Sequence, residues 1–200
     1  MSFNLSGTLN VLRLIANPTL CLPHHTVSTF NELPIPLSRA FASKGGSEKV
    51  DIRAVVLDKD NCFAVANTNN VYEPYTERFK QLRDAYPGAK LLIVSNSAGT
   101  MSDPGGKEAD ILEKATGVSV MRHNVKKPGC GPQVLDYFRS KPETKVNSAS
   151  QIAVVGDRLF TDVMMANMMG SHGVWIKDGV VKDEGLVSGR NHSWLPPTPC

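Results

Sequence analysis

Four polar clusters in this chain carry the residue types needed to move a phosphoryl group: Asp58-Lys59-Asp60-Asn61, Ser95-Asn96, Lys126-Lys127-Pro128, and Gly156-Asp157 followed by Asp162. A phosphate ester resists attack because its own oxygens repel nucleophiles. A catalyst must therefore neutralise charge, hold the reacting groups in line and help the alkoxide leave. Carboxylates can serve as nucleophile, as acid and base, and as the hard oxygen donors that Mg2+ prefers. In that scheme Asp58 attacks phosphorus to form an aspartyl phosphate. Asp60 donates a proton to the leaving oxygen and then takes one from the hydrolytic water. Ser95 offers its hydroxyl to a phosphoryl oxygen, and one of Lys126 and Lys127 supplies positive charge. Asp58 and Asp157, with a backbone carbonyl near Asp60, make an oxygen set for Mg2+. Asn61, Asn96 and Lys126 stand beside these residues as candidates for substrate contact.

Such residues act together only if the fold collects them. Three clusters follow apolar runs: Ile52–Leu57 before Asp58, Leu91–Val94 before Ser95, and Ile152–Val155 before Gly156-Asp157. Short runs rich in Val and Ile, bounded by polar residues or Gly, are expected of strands buried on both faces. Ligands of such sheets sit beyond the carboxyl ends of the strands, where these clusters fall. Helices are expected between them, over Tyr75–Tyr86, Lys107–Thr116, Pro132 to Phe138 and Val163–Met169, with further strands at Val118–Met121 and Val174–Ile176. This alternation predicts one α/β domain, a three-layer α/β/α, Rossmann-like parallel sheet.

Composition agrees. Two hundred residues at 41% hydrophobic can bury one sizeable core. A net charge of +3, with no Lys/Arg run longer than two residues, gives no reason to expect nucleic acid as a partner. Cys21, Cys62, Cys130 and Cys200 form no C-x-x-C pair, which favours a reducing compartment over a disulfide framework or a zinc site. Residues 1–46 differ in kind from the rest: Glu32 is their one acid, and the βα rhythm is missing. Leu5, Leu9, Leu12 and Ala16, widened by Val11 and Ile15, form an amphipathic helical stripe too short to span a bilayer. It could pack on the domain, lie in a membrane interface or be a cleaved targeting segment. The expected division is an N-terminal segment 1–46, a phosphatase domain 47–190 and a Pro-rich tail 191–200.

Met164, Met165, Met168 and Met169 are expected to face the core. His123 is read as a loop or polar-rim residue. Residues 97–106 read as a surface loop, whose backbone N–H groups could also meet phosphate.

As an ordered set, the four clusters closely resemble the motifs of the haloacid dehalogenase superfamily: D-x-D, a Ser or Thr, a Lys near Pro, and a late acidic pair of the form G-D-x-x-x-x-D. The resemblance covers about Val50 to Lys177. It implies that Lys127, directly before Pro128, is the motif lysine, that Asp157 binds metal directly, and that Asp162 acts through water or through the ligands. Where the superfamily commonly has Gly or Thr after the second Asp, this chain has Asn61-Cys62. The stretches from Asp58 to Ser95 and from Ser95 to Lys127 are nearly filled by one helix and one strand each. Neither has room for the cap domain that many members use to enclose small metabolites, so an open site for a bulky substrate is expected.

More closely, Leu57-Asp-Lys-Asp-Asn61, Ser95-Asn-Ser-Ala-Gly99, Lys126-Lys-Pro-Gly129 and Val155-Gly-Asp-Arg-Leu-Phe-Thr-Asp162 resemble the fungal and plant mitochondrial phosphatidylglycerophosphate phosphatases. That resemblance implies a phospholipid substrate, Mg2+ as cofactor and a peripheral place on the matrix side of the mitochondrial inner membrane. It also favours the interfacial reading of the N-terminal stripe. The alternatives are a capless phosphatase of the same fold acting on phosphoproteins or nucleic-acid ends, and a non-enzymatic phosphoacceptor module of the receiver type.

Overall fold

The computed structural model describes residues 16–42 and 50–180. Their central feature is a six-stranded, wholly parallel sheet built from β1 (His25–Val27), β2 (Ala54–Leu57), β3 (Leu91–Ile93), β4 (Ser119–Val120), β5 (Ile152–Gly156) and β6 (His172–Ile176). The spatial order is β1-β6-β5-β2-β3-β4, which puts β2 between β5 and β3. Four helices make the crossovers: α1 (Thr76–Ala85), α2 (Lys107–Thr116), α3 (Gly131–Arg139) and α4 (Met164–Met169).

Pleating sorts the apolar runs into two layers. Val55 and Leu57 of β2 join Leu91, Ile93, Phe79 and Leu82 on one face. Ala54 and Val56 join Leu92, Val134, Phe138 and Met165 on the other. This is the three-layer α/β/α arrangement expected from the β-α alternation. Gly117 ends α2 in a left-handed conformation, with its N–H donating to Glu113 O at 2.8 Å.

The amino-terminal segment requires a correction. It was expected to stand apart as far as residue 46, yet part of it belongs to the packed unit. β1 pairs in parallel with β6, His25 opposite Val174 and Val27 opposite Ile176. Phe30, Leu33 and Leu37 are fully buried against the first face of the sheet, and Phe30 lies against Phe63, Tyr75 and Phe79. The Leu37 N–H donates to the buried Tyr86 hydroxyl at 2.9 Å. The reason is apolar area: a sheet face with α1 and α2 beside it still leaves surface that these side chains remove from water. The stripe at residues 5–15 and the tail at 191–200 lie outside the described residues.

Candidate active site

The carboxyl ends of β2, β3 and β5 form the floor of the site. Asp58 directly follows β2, and its N–H donates to Val155 O of β5 at 2.9 Å, which holds it between the neighbouring strands. Lys127 is buried and donates from Nζ to Asp58 Oδ1, and the same ammonium stands 2.7 Å from Asp162 Oδ1. Lys126, by contrast, is exposed. The Lys127 backbone is held from β3: its N–H donates to Asn96 Oδ1 at 2.8 Å.

Asp162 reaches this cluster because the chain after β5 turns through a single wide π-type turn at Leu159–Val163 before α4 begins. Such turns redirect side chains at functional sites. Its Oδ2 accepts the Arg158 N–H at 3.1 Å. The close packing also requires Gly156, where a Cβ would stand only 2.3 Å from Asp162 Cγ.

One ligand oxygen each from Asp58, Asp157 and Asp162 lies within 4.8 Å of the others. Asp157 Oδ1 is buried without a hydrogen-bond partner. Burial pushes the Asp58 carboxyl up to about 7 against the pull of the Lys127 ammonium. Burial, and then the Asp162 charge, also raise Asp157. Burial opposes the charge on Lys127, but Asp162 and Asp58 outweigh it and hold the ammonium above the ordinary lysine range. Three clustered carboxylates, two of them on the Lys127 ammonium and the third, Asp157, with an unpaired buried oxygen, make a donor set that fits a hard dication such as Mg2+. The third carboxylate of this cluster is that of Asp162. The Asp60 side chain stands outside it, so any share Asp60 has in binding metal falls to its backbone carbonyl.

Asp60 faces the β3 side. Its Oδ1 accepts from Lys59 Nζ at 2.7 Å and from the Asn67 N–H at 2.8 Å, and its Oδ2 accepts from Ser97 Oγ at 3.3 Å. Ser97 Oγ lies 2.9 Å from Ser95 Oγ, so a chain of hydroxyls joins Ser95 to Asp60. A tight turn makes this possible: the Cys62, Phe63 and Ala64 N–H groups all point at Lys59 O. Asn61 sits exposed in that turn with φ of 59°, its N–H donating to Ala64 O.

Two participants, Lys59 and Ser97, were not singled out from the sequence, and a third, His123, was expected elsewhere. Lys59 is almost fully buried and donates to Thr68 O as well as Asp60. Its place between two aspartates was the available signal. Ser97 had none beyond closeness to Ser95. His123, expected at a rim, is buried, with Nδ1 2.7 Å from Val125 O and Nε2 2.9 Å from Ser95 O. It ties the serine loop to the lysine loop.

A chain with this floor has named relatives. It is 50% identical over 178 residues to the mitochondrial phosphatidylglycerophosphatase of Saccharomyces cerevisiae, covering 88% of this chain and 89% of that one. It is 35% identical to the probable mitochondrial phosphatidylglycerophosphatase of Schizosaccharomyces pombe, over 98% of this chain and 92% of that one. It is 31% identical to the chloroplastic phosphatidylglycerophosphate phosphatase 1 of Chlamydomonas reinhardtii, over 94% of this chain and 66% of that one. The match to the family described as mitochondrial PGP phosphatase runs over residues 5–181, from the N-terminal stripe through β6. On that extent and those identities, the chain belongs to the mitochondrial phosphatidylglycerophosphate phosphatase family.

Proposed function

We propose that the chain hydrolyses the phosphomonoester of phosphatidylglycerophosphate, yielding phosphatidylglycerol and inorganic phosphate, through an aspartyl phosphate on Asp58 and with Mg2+ as cofactor. Family membership supports the reaction and disfavours the receiver-type alternative. The observation that carries the mechanism is the convergence of Asp58, Lys127, Asp157 and Asp162 at the ends of β2 and β5.

In the first step an Asp58 carboxylate oxygen bonds to phosphorus as the bond from phosphorus to the glycerol oxygen breaks. Asp60 protonates that oxygen as it leaves. Oδ2 is suited to carry the proton, since Oδ1 is already held by Lys59 and Asn67. In the second step Asp60 takes a proton from water, the water oxygen bonds to phosphorus, and the Asp58 acyl phosphate bond breaks to release phosphate. Ser95 Oγ and the Lys127 ammonium bind phosphoryl oxygens, and Asp162 holds Lys127 in place. Mg2+, held by Asp58, Asp157 and a backbone carbonyl near Asp60, would supply the charge that lets an anion approach this acidic floor. Asn96 acts by holding Lys127, and Lys126 is free to meet the head group.

The proposal includes a peripheral place on the matrix side of the mitochondrial inner membrane, supported by the mitochondrial relatives and the apolar stripe at residues 5–16. No described helix is long and apolar enough to cross a membrane. A phosphate-release assay tests the reading. Phosphatidylglycerophosphate should be preferred over phosphatidate, phosphopeptides and phosphorylated oligonucleotides, with activity lost in EDTA and restored by Mg2+. Preference for a phosphopeptide or an oligonucleotide would overturn it. Deleting residues 1–20 should impair hydrolysis in bilayers and spare a soluble aryl phosphate; equal loss of both, with earlier melting, would mean that the stripe packs on the domain.

A further inference from the structure

We propose that the carboxyl edge of the sheet is itself the membrane-docking face, with Met101, Val125 and Phe160 entering the interface of an anionic lipid bilayer around the site. This rests on the lipid-phosphatase reading above. Among the described residues five large apolar side chains are conspicuously exposed, and three of them follow strands at this one edge, two on loops and one on the π-type turn: Met101 at 82%, Val125 at 42% and Phe160 at 63%. Met101 follows β3 and Phe160 follows β5, the strands on either side of β2, so the two flank Asp58. Val125 lies two residues before Lys127. The other two, Leu22 and Ile111, lie before β1 and within α2.

Depth gives the edge its reason. Asp58, Ser95 and Lys127 are all buried, so a reacting phosphate must descend to the floor of the site. A head group still tied to acyl chains in a bilayer can do so only if the bilayer lies against the rim. Charge points the same way. Lys126 is exposed beside Val125, and Arg158, two residues before Phe160, has a 58% exposed side chain. Asp103, an acid of the same edge, is turned inward: its carboxylate accepts the Gly99, Glu108 and Ala109 N–H groups. Apolar side chains alternating with cations suit an anionic lipid surface.

The test uses the full chain and vesicles of phosphatidylglycerol and phosphatidylcholine that carry brominated acyl chains and no substrate. Phe160→Trp should lose about half of its added emission on binding, as expected for a side chain at the acyl boundary, while Ile111→Trp should lose none. Failure of Phe160→Trp to be quenched on vesicle-bound protein would overturn the proposal, as would equal quenching of Ile111→Trp or an absence of vesicle binding. The triple variant Met101→Ser, Val125→Ser, Phe160→Ser should lower phosphatidylglycerophosphate turnover in bilayers about tenfold and leave a soluble aryl phosphate unaffected. Dissociation of an oligomer by that variant would instead assign the face to a second copy of the chain. Quenching is read without substrate, so docking and the assigned reaction fail separately.

Discussion

On the β5 side of Asp58 the site is dry and dense in charge: Lys127 is clamped between Asp58 and Asp162, and Asp157 keeps a buried oxygen unpaired. On the β3 side it is wetter and built of hydroxyls: Ser95, Ser97 and Asp60 are linked by hydrogen bonds, Ser97 is exposed, and the Asp60 side chain is 21% exposed. The first side binds and neutralises a phosphoryl group, which demands charges fixed in advance and shielded from water. The second moves protons, which demands an acid with one oxygen held only by a hydroxyl and with access to water. Substitutions on the dry side should therefore cost more in turnover.

The largest effect is expected from Asp58→Asn, which removes both the nucleophile and a metal-facing oxygen from the dry side. Turnover should fall on the order of a thousandfold or more, with the fold retained by circular dichroism and no acid-stable label from a phosphorylated substrate at this position. Residual activity above a few per cent would mean that phosphorus is attacked by another group. A second comparison sharpens the division within a single dipeptide. Lys127→Ala should cost roughly a hundredfold in kcat, the scale set by losing a preorganised charge, whereas Lys126→Ala should change kcat by no more than about threefold, as expected for an exposed charge. It should act mainly through KM on bilayer substrate. The reverse order of damage would move the working ammonium to the exposed residue.

The smallest effect is thermodynamic. Because burial pushes Asp58 up to about 7 and raises Asp157, the folded metal-free chain keeps protons above pH 4 that the unfolded chain has already released. That contribution to stability is lost as the pH rises through about 7. Lys127, held above its ordinary range, keeps its contribution throughout this window and loses it only at much higher pH. A dication favours the ionised carboxylates, so the rise in Tm on adding Mg2+ should be larger at pH 7.5 than at pH 5.5. His24 and His172, which burial holds low, titrate alike with and without the ion and cancel from that difference. Equal Mg2+ shifts at both pH values would place the ion away from these acids.

Much of this is legible in the sequence. Apolar runs ending in Asp58, Ser95 and Asp157 announced buried parallel strands with polar residues at their carboxyl ends, because a strand covered on both faces cannot hide its identity. The edge strand β1 was illegible, since His25-Thr26-Val27 offers one buried side chain and no periodicity. Phe30, Leu33, Leu37 and Phe41 did recur at helix-like spacing, and that signal of a buried face was the one to heed.

The amino-acid sequence by itself determined the chemical inventory, the order along the chain of the five strands β2 to β6 and the lack of room for a cap, all of which depend on local pattern and length. The resemblance had already favoured Lys127, before Pro128, over Lys126; only the tertiary structure decided that Lys127 lies clamped between Asp58 and Asp162, that Asp162 reaches the acidic floor through a wide turn and a neighbouring glycine, and that Ser97 and Lys59 hold Asp60. Those choices rest on where a loop's side chains point once three strands lie side by side. Burial then turns small differences in direction into large differences in charge energy, and no spacing in the sequence encodes them.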